Sequence, residues 1–183
     1  MKKVYGIVLA AGLVFCGVAA HAQKDPNVGG AAMYPNKNII QNAVNSQDHT
    51  TLVAAVKAAG LVDTLEGPGP FTVFAPTNEA FSKLPAGTVD TLLKPENKDQ
   101  LVKVLTYHVV SGRLTTKDLK KQIRMGHGKA MLKTVEGGTL TASMQDGKIM
   151  LTDEKGGMAT ITISDVYQSN GIIQVVDAVL LPN

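Results

Sequence analysis

The side chains that could do chemistry in this 183-residue sequence are few and widely spaced. Apart from His21 near the N-terminus, the histidines are His49, His108 and His127, and none has a carboxylate at the spacing a zinc or hydrolase site uses. There is no His-Glu-x-x-His, no Gly-x-Ser-x-Gly elbow, no phosphate-cradling glycine loop before a lysine and no cysteine nucleophile. The expectation is a non-enzymatic protein with no cofactor and no metal. The one set of soft ligands is Met125-x-His127 with Met131, joined at a distance by Met144, Met150 and Met158, the kind of group that suits copper(I). The plainer reading of those methionines is core filler. Asp165 and Asp177 could be paired in space, but their settings read as those of strand-end and turn residues.

Charge has a stronger pattern. Between Arg113 and Lys133, seven basic residues (Arg113, Lys117, Lys120, Lys121, Arg124, Lys129, Lys133) meet one acid, Asp118. Thr115 or Thr116 can cap a helix there, on which Lys117, Lys120, Lys121 and Arg124 recur at spacings of three and four and so share a face. Such a face suits anionic polysaccharide, lipopolysaccharide or phospholipid headgroups, through contacts that salt weakens. The plainer reading is the solvated side of an amphipathic helix. A net charge of only +3, with two arginines in the chain, argues against a nucleic-acid binder.

These residues need elements to position them. Lys2 and Lys3 precede an apolar run from Ile7 to Ala20 and the small-x-small triplet Ala20-His21-Ala22, the form of a secretory signal peptide over residues 1–22. The run is too short, and too rich in alanine and glycine, for a transmembrane segment, and no later stretch is long enough. The expectation is a soluble, secreted protein, periplasmic or extracellular. Val14-Phe15 stand where a lipid-attachment box before Cys16 wants small residues, so Cys16 reads as part of the apolar run. Cleavage after Ala22 removes the only cysteine, and burial without a disulfide must then stabilise what remains, a single domain's length.

Residues 23–36, with Pro26, Gly29-Gly30 and Pro35, read as a flexible leader, Met33-Tyr34 being its one sticky point, to a folded unit over 37–183. Ile39, Ile40, Ala43 and Val44 fall at helical spacing. Asp48 opens a second helix carrying Leu52, Val53, Val56 and Ala59, closed by Gly60. Phe71 to Ala75 alternate as a strand that Pro76 stops, and Thr77 or Asn78 caps a short helix with Ala80, Phe81 and Leu84. Phe71, Phe74 and Phe81 are all the phenylalanines beyond the signal segment, so the core is expected to form on this corner. Short helical pieces through Leu93 lead to a longer segment from Pro95. His108 shares a face with Leu101 and Leu105, and its plain reading is a core-edge histidine bonded to backbone. The last third alternates as strands. Leu140–Met144 and Ile149–Thr152 join through Asp146-Gly147, Ala159–Ile163 follows Gly156-Gly157, Ile172–Val176 follows Asn170-Gly171, and Val179–Leu181 is a final strand. Helices first and strands after make an α+β domain.

Three ordered stretches carry a family resemblance. Thr72-Val73-Phe74-Ala75-Pro76-Thr77-Asn78-Glu79-Ala80-Phe81 resembles the first signature of the fasciclin (FAS1) domain family. Tyr107-His108 and Ser169-Asn170-Gly171-Ile172-Ile173-Gln174-Val175-Val176-Asp177, running to Leu181-Pro182, follow in the family's order and spacing. Phe74, Pro76, Thr77, Asn78, Phe81, Asn170, Gly171 and Asp177 are the structural signature, and the likeness covers roughly Asn36 to Asn183. It implies a β-sandwich-like wedge with short helices packed along it, the Phe71 and Ile172 strands both in its core. It also implies a secreted adhesion or interaction module, probing an extracellular protein, an envelope polysaccharide or another anionic surface as a monomer or weak self-associate. In animal members the Tyr-His pair has been linked to receptor contact, which makes Tyr107 and His108 candidate binding residues. Gln174 departs from the family, many members carrying histidine or tyrosine there. The rival function is a carrier with an apolar pocket between helices and sheet for a lipid-like molecule. A large continuous cavity would favour the carrier, and a close-packed interior with a basic patch the module.

Overall fold

Residues 26–183 are described in the computed structural model, and the expected signal peptide lies outside them. The flexible leader is corrected from residue 26 onward. Asn27–Val28 (β1) and Ala31–Ala32 (β2) pair as a small antiparallel hairpin turning at Gly29-Gly30. Val28 and Met33 are each 2 % exposed and belong to the core. The Gln47 amide donates to Gly29 O (3.0 Å), and fully buried Asn42 bonds the Tyr34 backbone in both directions while its amide also donates to Gln168 Oε1. A segment rich in glycine and proline is thus fastened by two apolar side chains and one asparagine, while the Tyr34 ring stays outside with the Lys37 ammonium 4.9 Å from its centroid.

The helices follow their sequence signals closely. Asn38 caps Ile39–Ala43 (α1) with a reciprocal Gln41 contact. A single 3-10 turn at Gln47–His49 leads into Thr50–Ala59 (α2), which Gly60 ends in the left-handed conformation, and Val62–Glu66 (α3) follows. Phe71–Pro76 (β3) runs into Asn78–Ser82 (α4), whose cap is Thr77, its hydroxyl accepting from Ala80 N. Asn78 has a longer reach: its side chain accepts from Thr51 N (3.0 Å) and donates to Gln47 O (2.8 Å), tying the corner to the start of α2. Thr88–Leu92 (α5) and Lys98–Tyr107 (α6) complete the helical part.

Val109–Ser111 (β4), Thr116–Met125 (α7), Lys129–Lys133 (β5), Thr139–Gln145 (β6), Lys148–Thr152 (β7), Met158–Gln168 (β8) and Gly171–Val176 (β9) follow. Seven strands form one sheet in the order β4-β3-β9-β8-β7-β6-β5, antiparallel except for the parallel β3–β9 pair. The sheet curls until its two edges touch at Val110–Thr134, where Val135 N donates to Val109 O (2.8 Å), so the wedge is close to a barrel. One apolar cluster lies between the hairpin, α1, α2, α6 and the β3/β9 strands, and a second fills the curl of β5–β8 beneath α7. Val179–Leu181 is not a strand. Leu180 N donates to His108 Nε2 (3.0 Å) and Leu181 N to Asp153 Oδ2 (2.9 Å), so side chains take the bonds a ladder would have made.

Phe74 is completely buried, and Phe74→Ala is expected to cost about 3–5 kcal/mol in a denaturant melt, a loss under about 1 kcal/mol rejecting its core placement. Met33→Ala tests the docked hairpin in the same assay. A loss of about 2–5 kcal/mol is expected, whereas a loose leader would leave the midpoint unmoved.

Candidate functional site

Tyr107 and His108 end α6, and the fold turns both inward. Tyr107 is 0 % exposed; its hydroxyl donates to Thr139 O (2.8 Å) and accepts from Glu154 N (3.2 Å), and burial raises its pKa to about 12. His108 is 2 % exposed. Its Nδ1 donates to Val104 O (2.8 Å), which leaves Nε2 to accept from Leu180 N, so the neutral ring satisfies both partners. Burial pushes its pKa down to about 4, against the smaller opposing pulls of the Val104 carbonyl and Asp153. As placed, neither side chain is open to a partner approaching through solvent. Together they fasten α6 to β6, to the β7–β8 turn and to the C-terminal segment.

The basic segment is built the opposite way. Thr115 accepts from Asp118 N (3.2 Å) while Asp118 accepts from Thr115 N (3.1 Å), a capping box, and the Thr115 contacts hold the Asp118 carboxyl below its ordinary pKa. Leu119 and Ile123 are buried under the helix, and Lys117, Lys120, Lys121 and Arg124 stand exposed on the other side with no carboxylate paired to them among the described residues. Asp165, at a φ of 58° in an irregular stretch of β8, accepts from Thr116 N (2.8 Å) and from the Thr116 hydroxyl. Gln174 in β9 is fully buried: its oxygen accepts from Asp165 N (3.0 Å) and its amide donates to Leu114 O and Asp165 Oδ1, both at 3.0 Å. Gln174 thus helps seat α7. Sequence reasoning passed over Asp165 as a strand-end residue, and its irregular setting within β8 leaves no local signature.

The soft ligands do not gather. Met125 and Met131 are exposed and border one shallow groove, while His127 is not among its lining residues. Met158 lies three strands away from Met131, about 14 Å by strand spacing. Under α1 and α2 lies an apolar cavity of about 40 Å³, bordered by Val28, Met33, Ile40, Leu52, Val73 and Ile173. His49 reaches it: Nδ1 meets Ser46 Oγ (2.9 Å), and Nε2 has no hydrogen-bond partner among the described residues. Burial lowers the His49 pKa, partly offset by the Ala75 carbonyl and Asp48. Among the described residues no three His, Cys, Asp or Glu side chains come together as a metal site, and no helix is long and apolar enough to cross a membrane.

The profile of the Fasciclin domain family matches residues 47–182. Protein sll1483 of Synechocystis is 48 % identical over 160 residues, covering 87 % of this chain and 82 % of that one. Immunogenic protein MPB70 of Mycobacterium bovis is 34 % identical over 182 residues, covering 94 % and 84 %. Among solved structures, a FAS1 domain pair from the insect cell adhesion molecule Fasciclin I aligns with a TM-score of 0.70 at 21 % identity, over 80 % of this chain and 51 % of that one. That last likeness bears on the fold, and the match there is to about half of a two-domain chain.

His108 and His49 both have folded-state pKa values below the unfolded 6.5, so acid favours the unfolded chain. Their stabilisation is complete above about pH 6.5 and declines as pH falls. For His108 the decline runs to about pH 4 and amounts to about 3 kcal/mol. His108→Asn should flatten that part of a stability-against-pH curve, and an unchanged slope would show that His108 does not titrate as placed.

Proposed function

The chain belongs to the fasciclin domain family, and from that premise we propose that it is a secreted, non-enzymatic adhesion-type module that meets an anionic component of the cell envelope or extracellular matrix through the basic face of α7. The observation that carries this reading is four exposed basic side chains, unpaired among the described residues, on a helix held at its N-terminus by a capping box and by Asp165. A charged face on a fixed backbone element presents its cations together, and its attraction for an anionic polymer is long-ranged at low salt. The carrier alternative has less to support it: a cavity of about 40 Å³ is far smaller than the roughly 300–1,000 Å³ of ordinary ligand pockets. Copper(I) binding is weakened by the spread of the methionines. As a monomer the module would bind one stretch of a repeating partner at a time, and avidity would require self-association or a multivalent surface.

The test is binding of the exported protein to purified envelope polysaccharide and to anionic lipid vesicles at low and high salt, beside a Lys120→Glu, Lys121→Glu variant. Salt-sensitive binding by the parent, lost in the variant without a change in melting, is the expected result. Absence of binding to either target at low salt would reduce α7 to a solvated face and redirect the search to protein partners.

A further inference from the structure

The strand register gathers a second set of groups that no single stretch of sequence brings together. Lys129, Ser143, Met150 and Thr160 lie opposite one another across β5–β8, and Met131, Thr141, Thr152 and Met158 form the next row. Lys133–Thr139 and Gln145–Lys148 pair on the same side. The alternate residues, including Leu132, Leu140, Ala142, Leu151 and Ala159, are buried with Leu119 and Ile123 of α7, so α7 covers the inner side and these rows form the outer one. Among the described residues the strand positions on that outer face carry Lys129, Lys133 and Lys148 and no acidic residue, with hydroxyls between them and two exposed thioethers, Met131 (77 %) and Met158 (61 %). Glu154 and Asp177 stand at its margins, accepting from Thr139 N (2.9 Å) and Thr160 N (2.7 Å).

We propose that this outer face of β5–β8 is the binding surface for a linear acidic polysaccharide laid across the strands, an inference that rests on the anionic-partner reading above and names the partner's chemistry. A chain running perpendicular to the strands meets a new side chain every ~4.8 Å, close to the step of one sugar in an extended pyranose chain. Threonine and serine hydroxyls both donate and accept, which matches sugar hydroxyls and carboxylates, and strand threonines hold few rotamers, so little freedom is lost on contact. The lysines supply charge complementarity to uronate or sulfate groups, and the thioethers offer apolar surface to sugar C–H faces. The same lysines repel a second copy of the face, and the lack of aromatic side chains on it removes the stacking platform a single-stranded nucleic acid would use. The face continues into α7: Gln122 and Met125 border one groove with Lys129, Met131 and Thr141 around the β5 edge. Lys117, Lys120, Lys121 and Arg124 are not among that groove's lining residues, so the helix adds long-range attraction while the sheet face supplies the contacts.

The exported protein is titrated calorimetrically with size-fractionated polygalacturonate, a linear polyuronate, beside Thr141→Val, Thr152→Val and Lys129→Gln, Lys133→Gln double variants. The valine pair keeps strand-forming shape while deleting two hydroxyls, and is expected to weaken binding about tenfold with an unchanged melt and salt dependence. The glutamine pair is expected to weaken binding and flatten its salt dependence, and affinity is expected to rise with oligomer length until the chain crosses all four strands. Parental affinity in both variants, with binding still abolished by Lys120→Glu, Lys121→Glu, would overturn this inference and leave the α7 reading standing. Binding to phosphatidylglycerol vesicles with none to polyuronate would overturn it in favour of a lipid surface. Failure of the parent to bind any polyanion at low salt would overturn both.

Discussion

The parallel pairing of β3 with β9 is the seam on which the rest depends, because β3 comes from the helical part of the chain and β9 from its β part. Six residues of each strand run in register, from Phe71 opposite Gly171 to Pro76 opposite Val176. The approach is so close at its start that a Cβ on Gly171 would sit 2.3 Å from Phe71 O, so only glycine fits. Asn170 completes the seam. Its side chain accepts from Ile39 N (3.1 Å) and donates to Leu65 O (2.7 Å) and Gly67 O (3.0 Å), while its carbonyl accepts from Phe71 N (3.1 Å). One residue therefore joins α1, α3, β3 and β9.

The interior polar groups follow one logic. Buried donors and acceptors must be paired, and here most are paired across long chain separations, which turns each into a fastener between elements. His108 joins α6 to the C-terminal segment 72 residues later, and Gln174 joins β9 to the start of α7. Gln174 carries a donor and an acceptor on one short amide, which serves Leu114 and Asp165 together. Among the described residues His49 Nε2 is the exception, facing the small cavity beneath α1.

Function, on this reading, has been pushed to the outside. Buried polar groups that are paired apart from His49 Nε2, and a nearly closed sheet, leave the interior with only a small cavity, whereas cations without acidic partners among the described residues collect on α7 and the outer side of β5–β8. Such charges cost little where water solvates them and remain available to a polyanion. The Tyr107-His108 pair, the contact candidate that family likeness suggested, is buried and hydrogen-bonded within the scaffold on which those faces stand.

Much of this was legible in the sequence. Helices α1, α2, α4 and α7, the Phe71 strand and the hairpin at Asp146-Gly147 announce themselves through caps, turn residues and periodicity, each set by neighbours within a few positions. The basic face of α7 was legible for the same reason, since a spacing of three and four determines which side chains share a helix face. Tertiary structure alone decided that Val28 and Met33 dock, that Val179–Leu181 gives its amides to His108 and Asp153 instead of a strand, and that β4 and β5 meet to close the curl. It also decided that Tyr107 and His108 face inward and that Lys129, Thr141 and Thr152 share a surface. The physical reason is range: periodicity reports which side a residue occupies, whereas burial and strand register depend on groups up to 131 residues distant in the chain.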